Sequence, residues 1–176
     1  MHDIELLVTL KIPDVTALTA ANTLRRRMGY AERLVGLRRA DYYRLEVEGE
    51  SEEAARELVT ELAQRTNHFV NPNKHIFITR LAEPRVQPPA MDTGYQVEVL
   101  ITDAASDRSG DIEQAMGHDP LAAGKVRAVH TGVLWTLALK AESPQQALAW
   151  ARDIAVTRSR AQGLLANPHF QSVQVS

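Results

Sequence analysis

From Ile4 to Lys11 apolar and polar residues alternate apart from the run Leu6-Leu7-Val8, a period of two that predicts a strand with one strongly buried face. Asp14 follows as a candidate N-cap ahead of Leu18, Ala21, Leu24, Arg25 and Met28, which recur at helical spacing until Gly29 stops the helix. Leu34 to Gly49 is again strand-like, either a tight hairpin around Arg39-Ala40-Asp41 or one long bent strand. Ser51 caps a second predicted helix, with Ala54 where a reciprocal capping box would have Glu, and Ala55, Leu58, Val59 and Leu62 as its buried stripe. His75 to Leu81 closes the stretch as a strand, with Ile76 and Ile78 on one face and Phe77 on the other.

The same order returns later in the chain. Ser51-Glu52-Glu53-Ala54 and Ser143-Pro144-Gln145-Gln146 each open a helix after a strand-like run, 92 positions apart. At that offset Leu37, Ala40, Tyr42, Leu45 and Val47 fall on Val129, Gly132, Leu134, Leu137 and Leu139, and one position less places Ile4, Leu6, Val8 and Leu10 on Tyr95, Val97, Val99 and Ile101. Asn71-Pro72 answers Asn167-Pro168, four residues out of step. The second copy is expected to run strand (Tyr95 to Thr102), helix (about Arg108 to Met116), strand (Val126 to Ala141), helix (Pro144 to about Leu165) and strand (Phe170 to Val175). Pro144 takes the first helical position, where its missing N–H costs nothing. Between the copies, residues 82–94 hold Pro84, Pro88 and Pro89 without apolar periodicity and are expected to form a stiff extended linker rather than a structural element.

The expected fold is therefore α+β: two tandem β-α-β(β)-α-β units of ferredoxin-like type, 1–81 and 95–176, joined by the linker 82–94. Strand residues of both parities are apolar in places, Leu7 beside Leu6 and Val8, Val133 and Trp135 beside Leu134. Both sheet faces are thus expected to be covered, the units packing sheet to sheet or edge to edge as an internal pseudo-dimer.

Composition narrows the chemistry more than the fold. With 176 residues, 24% of them charged, and a formal net charge of -2, the chain offers no bulk attraction to nucleic acid or an anionic membrane. The absence of Cys excludes disulfides, thiolate nucleophiles and Cys-ligated metal, and fits a cytoplasmic setting. Met1-His2-Asp3-Ile4-Glu5 lacks the basic and apolar regions of a secretory signal, and no apolar run approaches the roughly 20 residues of a membrane helix. The six histidines (His2, His68, His75, His118, His130, His169) show no metal-binding spacing. Glu46, Glu48 and Glu50 alternate as if along one exposed strand face, which favours a solvating role over paired acid–base chemistry. Neither a nucleophile elbow nor a phosphate-cradling glycine loop occurs. Arg25-Arg26-Arg27 suits the C-terminal turn of its helix, where cations complement the dipole. Tyr42-Tyr43, bordered by Arg38, Arg39 and Arg44, and Trp135 fall in corresponding middle strands, where packing is favoured over stacking on nucleobases. No catalytic, cofactor-binding or metal-binding residue is assigned.

The first half resembles the PurS family, the small subunit of the bacterial and archaeal phosphoribosylformylglycinamidine synthase. The resemblance rests on Val8-Thr9-Leu10-Lys11-Ile12-Pro13, on Met28-Gly29-Tyr30, on the strand Leu37-Arg38-Arg39-Ala40-Asp41-Tyr42-Tyr43-Arg44-Leu45-Glu46-Val47-Glu48, and on the helix start Ser51-Glu52-Glu53-Ala54. A family-like Leu164-Leu165-Ala166-Asn167-Pro168 stands in the second half. Ala40-Asp41 replaces the usual Gly-Lys, and Pro120-Leu121 stands where the second copy would carry Gly-Tyr. The resemblance implies a tandem-duplicated, non-catalytic subunit without cofactor, supporting assembly and ammonia transfer in purine biosynthesis. Its implied partners are the PurL synthetase and the PurQ glutaminase, with tandem chains pairing as a homodimer and with neither membrane nor nucleic acid as a partner. The alternative expectation is a small-molecule-sensing, ACT-like regulatory module, although Lys11-Ile12-Pro13-Asp14 and Thr102-Asp103-Ala104-Ala105 lack the glycine-rich ligand turn of that class.

Overall fold

The computed structural model describes residues 1–82, 94–159 and 162–176, and the backbone of 86–90. Its elements are β1 (His2–Leu10), α1 (Val15–Arg27), β2 (Leu34–Val47), α2 (Glu52–Arg65), β3 (His75–Leu81), β4 (Val86–Ala90), β5 (Gly94–Asp103), α3 (Ser109–His118), β6 (Val126–Leu139), α4 (Pro144–Ala155) and β7 (Gln171–Val175). The fold is α+β. Its antiparallel sheet runs β3-β1-β2-β6-β5-β4, with β7 also paired to β5, an arrangement compatible with the ferredoxin-like class.

Local chemistry accounts for most boundaries. Asp14 accepts hydrogen bonds from the N–H groups of Thr16 and Ala17 at 2.8 and 3.1 Å, so α1 begins on a satisfied cap. Ser51 and Ser143 do the same for α2 and α4 through the N–H groups of Ala54 and Gln146. Leu34–Val47 is one strand of 14 residues, which resolves the choice between hairpin and bent strand.

Some expectations are corrected. Leu18 is 52% exposed, and α1 buries Ala17, Ala21 and Leu24 instead, because its inward stripe is rotated by one position at its start. The helix expected to reach Leu165 ends at Ala155: Val156 turns extended, and the returning chain places the N–H of Leu164 on the carbonyl of Ile154 and those of Leu165 and Ala166 on the carbonyl of Ala155. The last carbonyls of α4 thus find partners outside a helix. Within the expected linker, Val86–Ala90 is extended, as its prolines favour, but it also pairs with β5 in the register Val86↔Val97 and Gln87↔Gln96, shifting before Ala90↔Gly94. The shift brackets Pro88 and Pro89, which bring no N–H to a ladder. The rest of that stretch, 83–85 and 91–93, lies outside the described residues.

The chain divides into two compact units, each drawing on both halves of the sequence. Unit 1 comprises Met1–Ile12, Ala40–Glu83 and Ser106–Gly132. Its core joins Ile4, Leu6 and Val8 of β1 and Leu45 and Val47 of β2 to Ala55, Val59 and Leu62 of α2, and completes them with Ile112 and Met116 of α3 and Val129 of β6. Unit 2 comprises Pro13–Arg39, Pro84–Ala105 and Val133–Ser176. There Val97, Val99 and Ile101 of β5 and Trp135, Leu137 and Leu139 of β6 pack with Ala147, Ala151 and Ile154 of α4, and α1 supplies Ala17 and Leu24. Each unit therefore takes one helix from each half of the chain.

Candidate interaction surfaces

In β1 the alternate residues Ile4, Leu6 and Val8 face the helices of unit 1, which sends Glu5, Leu7 and Thr9 to the opposite sheet face. The ladders put Arg80, Ile78 and Ile76 of β3 beside them on one side, and Arg44 and Tyr42 of β2 beside Glu5 and Leu7 on the other. This face contains a buried carboxylate. Glu5 is only 9% exposed; its Oε1 accepts from the Tyr42 hydroxyl at 3.0 Å and its Oε2 from Arg80 Nε at 2.5 Å. Both carboxylate oxygens are satisfied, which is what makes a charge tolerable there. Burial, together with the Glu5 carboxylate, pushes the Tyr42 hydroxyl well above the ordinary tyrosine range, so Tyr42 acts as a fixed donor.

Beyond this polar cluster the face turns apolar and open. Ile76 and Ile78, expected to be covered, are 55% and 59% exposed, because β3 ends the strand order and these side chains point away from the helices of unit 1. The outward positions of β7 in unit 2 carry Ser172 and Gln174 instead. Among the described residues the apolar pair has no counterpart on β7.

The other residues singled out from the sequence are spread apart. β2 ends at Val47, so of the three alternating glutamates only Glu46 lies on the strand; it meets His130 at 3.0 Å, while Glu48 pairs with Arg127 at 2.8 Å and is held below the usual carboxylate range by that hydrogen bond. Tyr43 packs edge-on to Phe69 at 5.1 Å between ring centroids, and Tyr42 and Trp135 are buried. Among the described residues no three His, Asp or Glu side chains are placed to share a metal ion. No described helix is long and apolar enough to cross a membrane. Asp107, which drew no attention in the sequence, accepts from the Ser109 N–H at 2.9 Å and from the Thr131 hydroxyl at 2.7 Å, and those bonds hold its carboxyl below the ordinary range just ahead of α3. In unit 2 an open groove of about 400 Å³ runs along α1 past Val15, Thr16, Thr19, Ala20, Thr23 and Leu164.

The larger electrostatic feature emerges only from the spatial units. Residues 1–81 hold twelve Lys or Arg against twelve Asp or Glu, and residues 95–176 seven against eight, so each half is close to neutral. Counted by compact unit among the described residues, unit 1 has nine basic against fourteen acidic side chains, a net of −5, and unit 2 has nine against six, a net of +3. The exchange of α1 for α3 is responsible, since α1 carries Arg25, Arg26 and Arg27 into unit 2.

No protein-family model matches the chain, and no curated protein sequence matches it.

Proposed function

We propose that this chain is a tandem PurS-like subunit, without an active site of its own, that supports assembly and ammonia transfer in phosphoribosylformylglycinamidine synthase. The observation that carries the reading is the correspondence of elements at one offset. β2 and β6 are both 14 residues long and begin 92 positions apart, at Leu34 and Val126. α2 and α4 begin at the same separation, at Glu52 and Pro144, as do β1 and β5, at His2 and Gly94, which pair antiparallel with β2 and β6 respectively. Two copies of a small α+β subunit fused in one chain account for this economically, because fusion turns a bimolecular pairing into an intramolecular one at high effective concentration. The purine assignment itself is supported by the sequence runs that resemble PurS. Size-exclusion chromatography with PurL and PurQ, and synthesis assays with and without the chain, test it. Co-elution is expected, together with loss of glutamine-dependent synthesis and retention of synthesis from free ammonia when the chain is omitted. No complex, with glutamine-dependent synthesis unchanged, would sink the proposal.

A further inference from the structure

Unit 2 gathers its excess positive charge at one end. Arg25 is committed there: its guanidinium donates from Nε to the Leu34 carbonyl at 2.9 Å and from Nη2 to the Val35 carbonyl, tying the end of α1 to the start of β2. Arg26 and Arg27, one and two positions on, are exposed and have no ion pair among the described residues. Arg33 lies 4.9 Å over the Trp150 ring, and its carbonyl accepts the N–H of Lys140 at 2.9 Å, which brings a further cation to the same end. Glu32 adjoins Arg33 and Glu142 stands two positions from Lys140 in sequence, while Asp153, within electrostatic reach of Tyr30, is occupied by Arg158 at 3.1 Å. The surface therefore stays cationic.

Its electrostatic complement is present in the same polypeptide. On α2 of unit 1, Glu53 and Glu57 stand four residues apart on the exposed side, flanked by Glu50 and Glu52, and none of the four has an ion pair among the described residues. Glu61 is taken by Arg65 at 2.7 Å, and Arg56 is the basic exception on that side. Like charges at such spacing repel one another along a helix, so an approaching cationic surface relieves a repulsion as well as forming new pairs.

We propose that the Arg26–Arg27–Arg33 surface of one chain docks on the Glu53–Glu57 face of α2 in a second copy, giving a self-association steered by charge. The inference is independent of the purine assignment. A protein surface is favoured over a nucleic acid because the aromatic rings at this end offer no platform for bases: Tyr30 is buried and Trp150 lies under Arg33.

Sedimentation velocity of the full chain across a salt series tests this. Association is expected near 20 mM salt and is expected to fall steeply towards 0.5 M, as the screening length shrinks from tens of ångströms to a few. The double variants R26E/R27E and E53K/E57K, each checked for wild-type melting, should weaken self-association by about tenfold or more. Mixed in equal amounts they should associate again, because each supplies a surface complementary to one on the other. A wild-type chain that stays monomeric at every salt concentration overturns the proposal, as does association that is indifferent to salt, or a mixture that fails to associate. Capture of a labelled single-stranded RNA by the wild type but not by R26E/R27E, without self-association, would also overturn it and assign the surface to nucleic acid.

Discussion

A carboxylate placed in the middle of a sheet is tolerated only if its oxygens find hydrogen-bond donors there. Glu5 meets this condition with one hydrogen bond per oxygen, from Tyr42 and from Arg80. Tyr42→Phe removes a bond to a charged acceptor and should cost about 2 kcal/mol. Glu5→Gln leaves the Arg80 guanidinium facing a neutral amide and should cost about 3 kcal/mol. Urea titrations with unchanged m-values would establish both, and a Tyr42→Phe protein as stable as wild type would show that the hydroxyl contributes nothing. The same residue governs an alkaline response. Tyr42 is raised above its ordinary value by burial and by Glu5, and Tyr30 and Tyr43 are raised mainly by burial. In the unfolded chain these hydroxyls ionise near pH 10, while in the fold they keep their protons, so the folded state binds more protons and stability falls as pH rises above about 10. Thermal melts from pH 8 to 11.5 should show that decline, with a shallower slope for Tyr42→Phe. Little of this could be read from the sequence. Glu5 is one polar member of an alternating strand, and Arg80, 75 positions away, joins it only when β1 and β3 pair.

Helices and strands were more legible, because each carries its period in consecutive residues. The parity of Ile4, Leu6 and Val8 and the Ser51 and Ser143 caps mark elements that the structure contains. The end of α4 was not legible from periodicity: Ile154, Leu164 and Leu165 are compatible with a continuing buried helix face. What stops the helix is the competition offered by Leu164, Leu165 and Ala166, whose amides take over the carbonyls of Ile154 and Ala155. The local signals were the β-branched pair Val156-Thr157 and Gly163. Gly163 has φ +74, and a Cβ there would stand 1.7 Å from the Val156 carbonyl oxygen. Gly163→Ala should therefore destabilise by about 2 kcal/mol or more, since it combines a left-handed backbone with a clash against main chain. Gly110→Ala makes the control. That glycine lies in α3 with open space around its missing Cβ, so alanine should be neutral or stabilise by up to about 0.5 kcal/mol. In differential scanning calorimetry the Gly163→Ala protein should melt below wild type and the Gly110→Ala protein at or above it; a Gly163→Ala protein melting with wild type would mean that the turn after α4 contributes nothing to stability.

At the scale of the whole molecule, a repeat in sequence and a compact unit in space are different partitions of one chain. Offsets along the sequence delimit 1–81 and 95–176, but the core of unit 1 needs Ile112 and Met116 of α3, Ala122 and Val129 from the later stretch, and the core of unit 2 needs Ala17 and Leu24 of α1, Tyr30 and Leu34 from the earlier one. No periodicity encodes which helix covers which sheet, because that choice is made by contacts far apart in sequence. The charge separation was hidden for the same reason, since it depends on where α1 and α3 come to rest. The consequence is testable with the two stretches expressed as separate polypeptides. Residues 1–81 alone lack four fully buried core side chains, an omission comparable to several large-to-small core truncations at about 2–5 kcal/mol for each large residue, against a total stability of about 5–15 kcal/mol. Neither fragment should melt cooperatively as an isolated monomer. Mixed in equal amounts, they should form a 1:1 complex with a cooperative transition, because each supplies the helix the other unit requires. Circular dichroism melts and light scattering of each fragment and of the mixture decide the point: two independently folded, non-associating monomers would show that the cores are complete within each stretch and that the interleaved units are wrong.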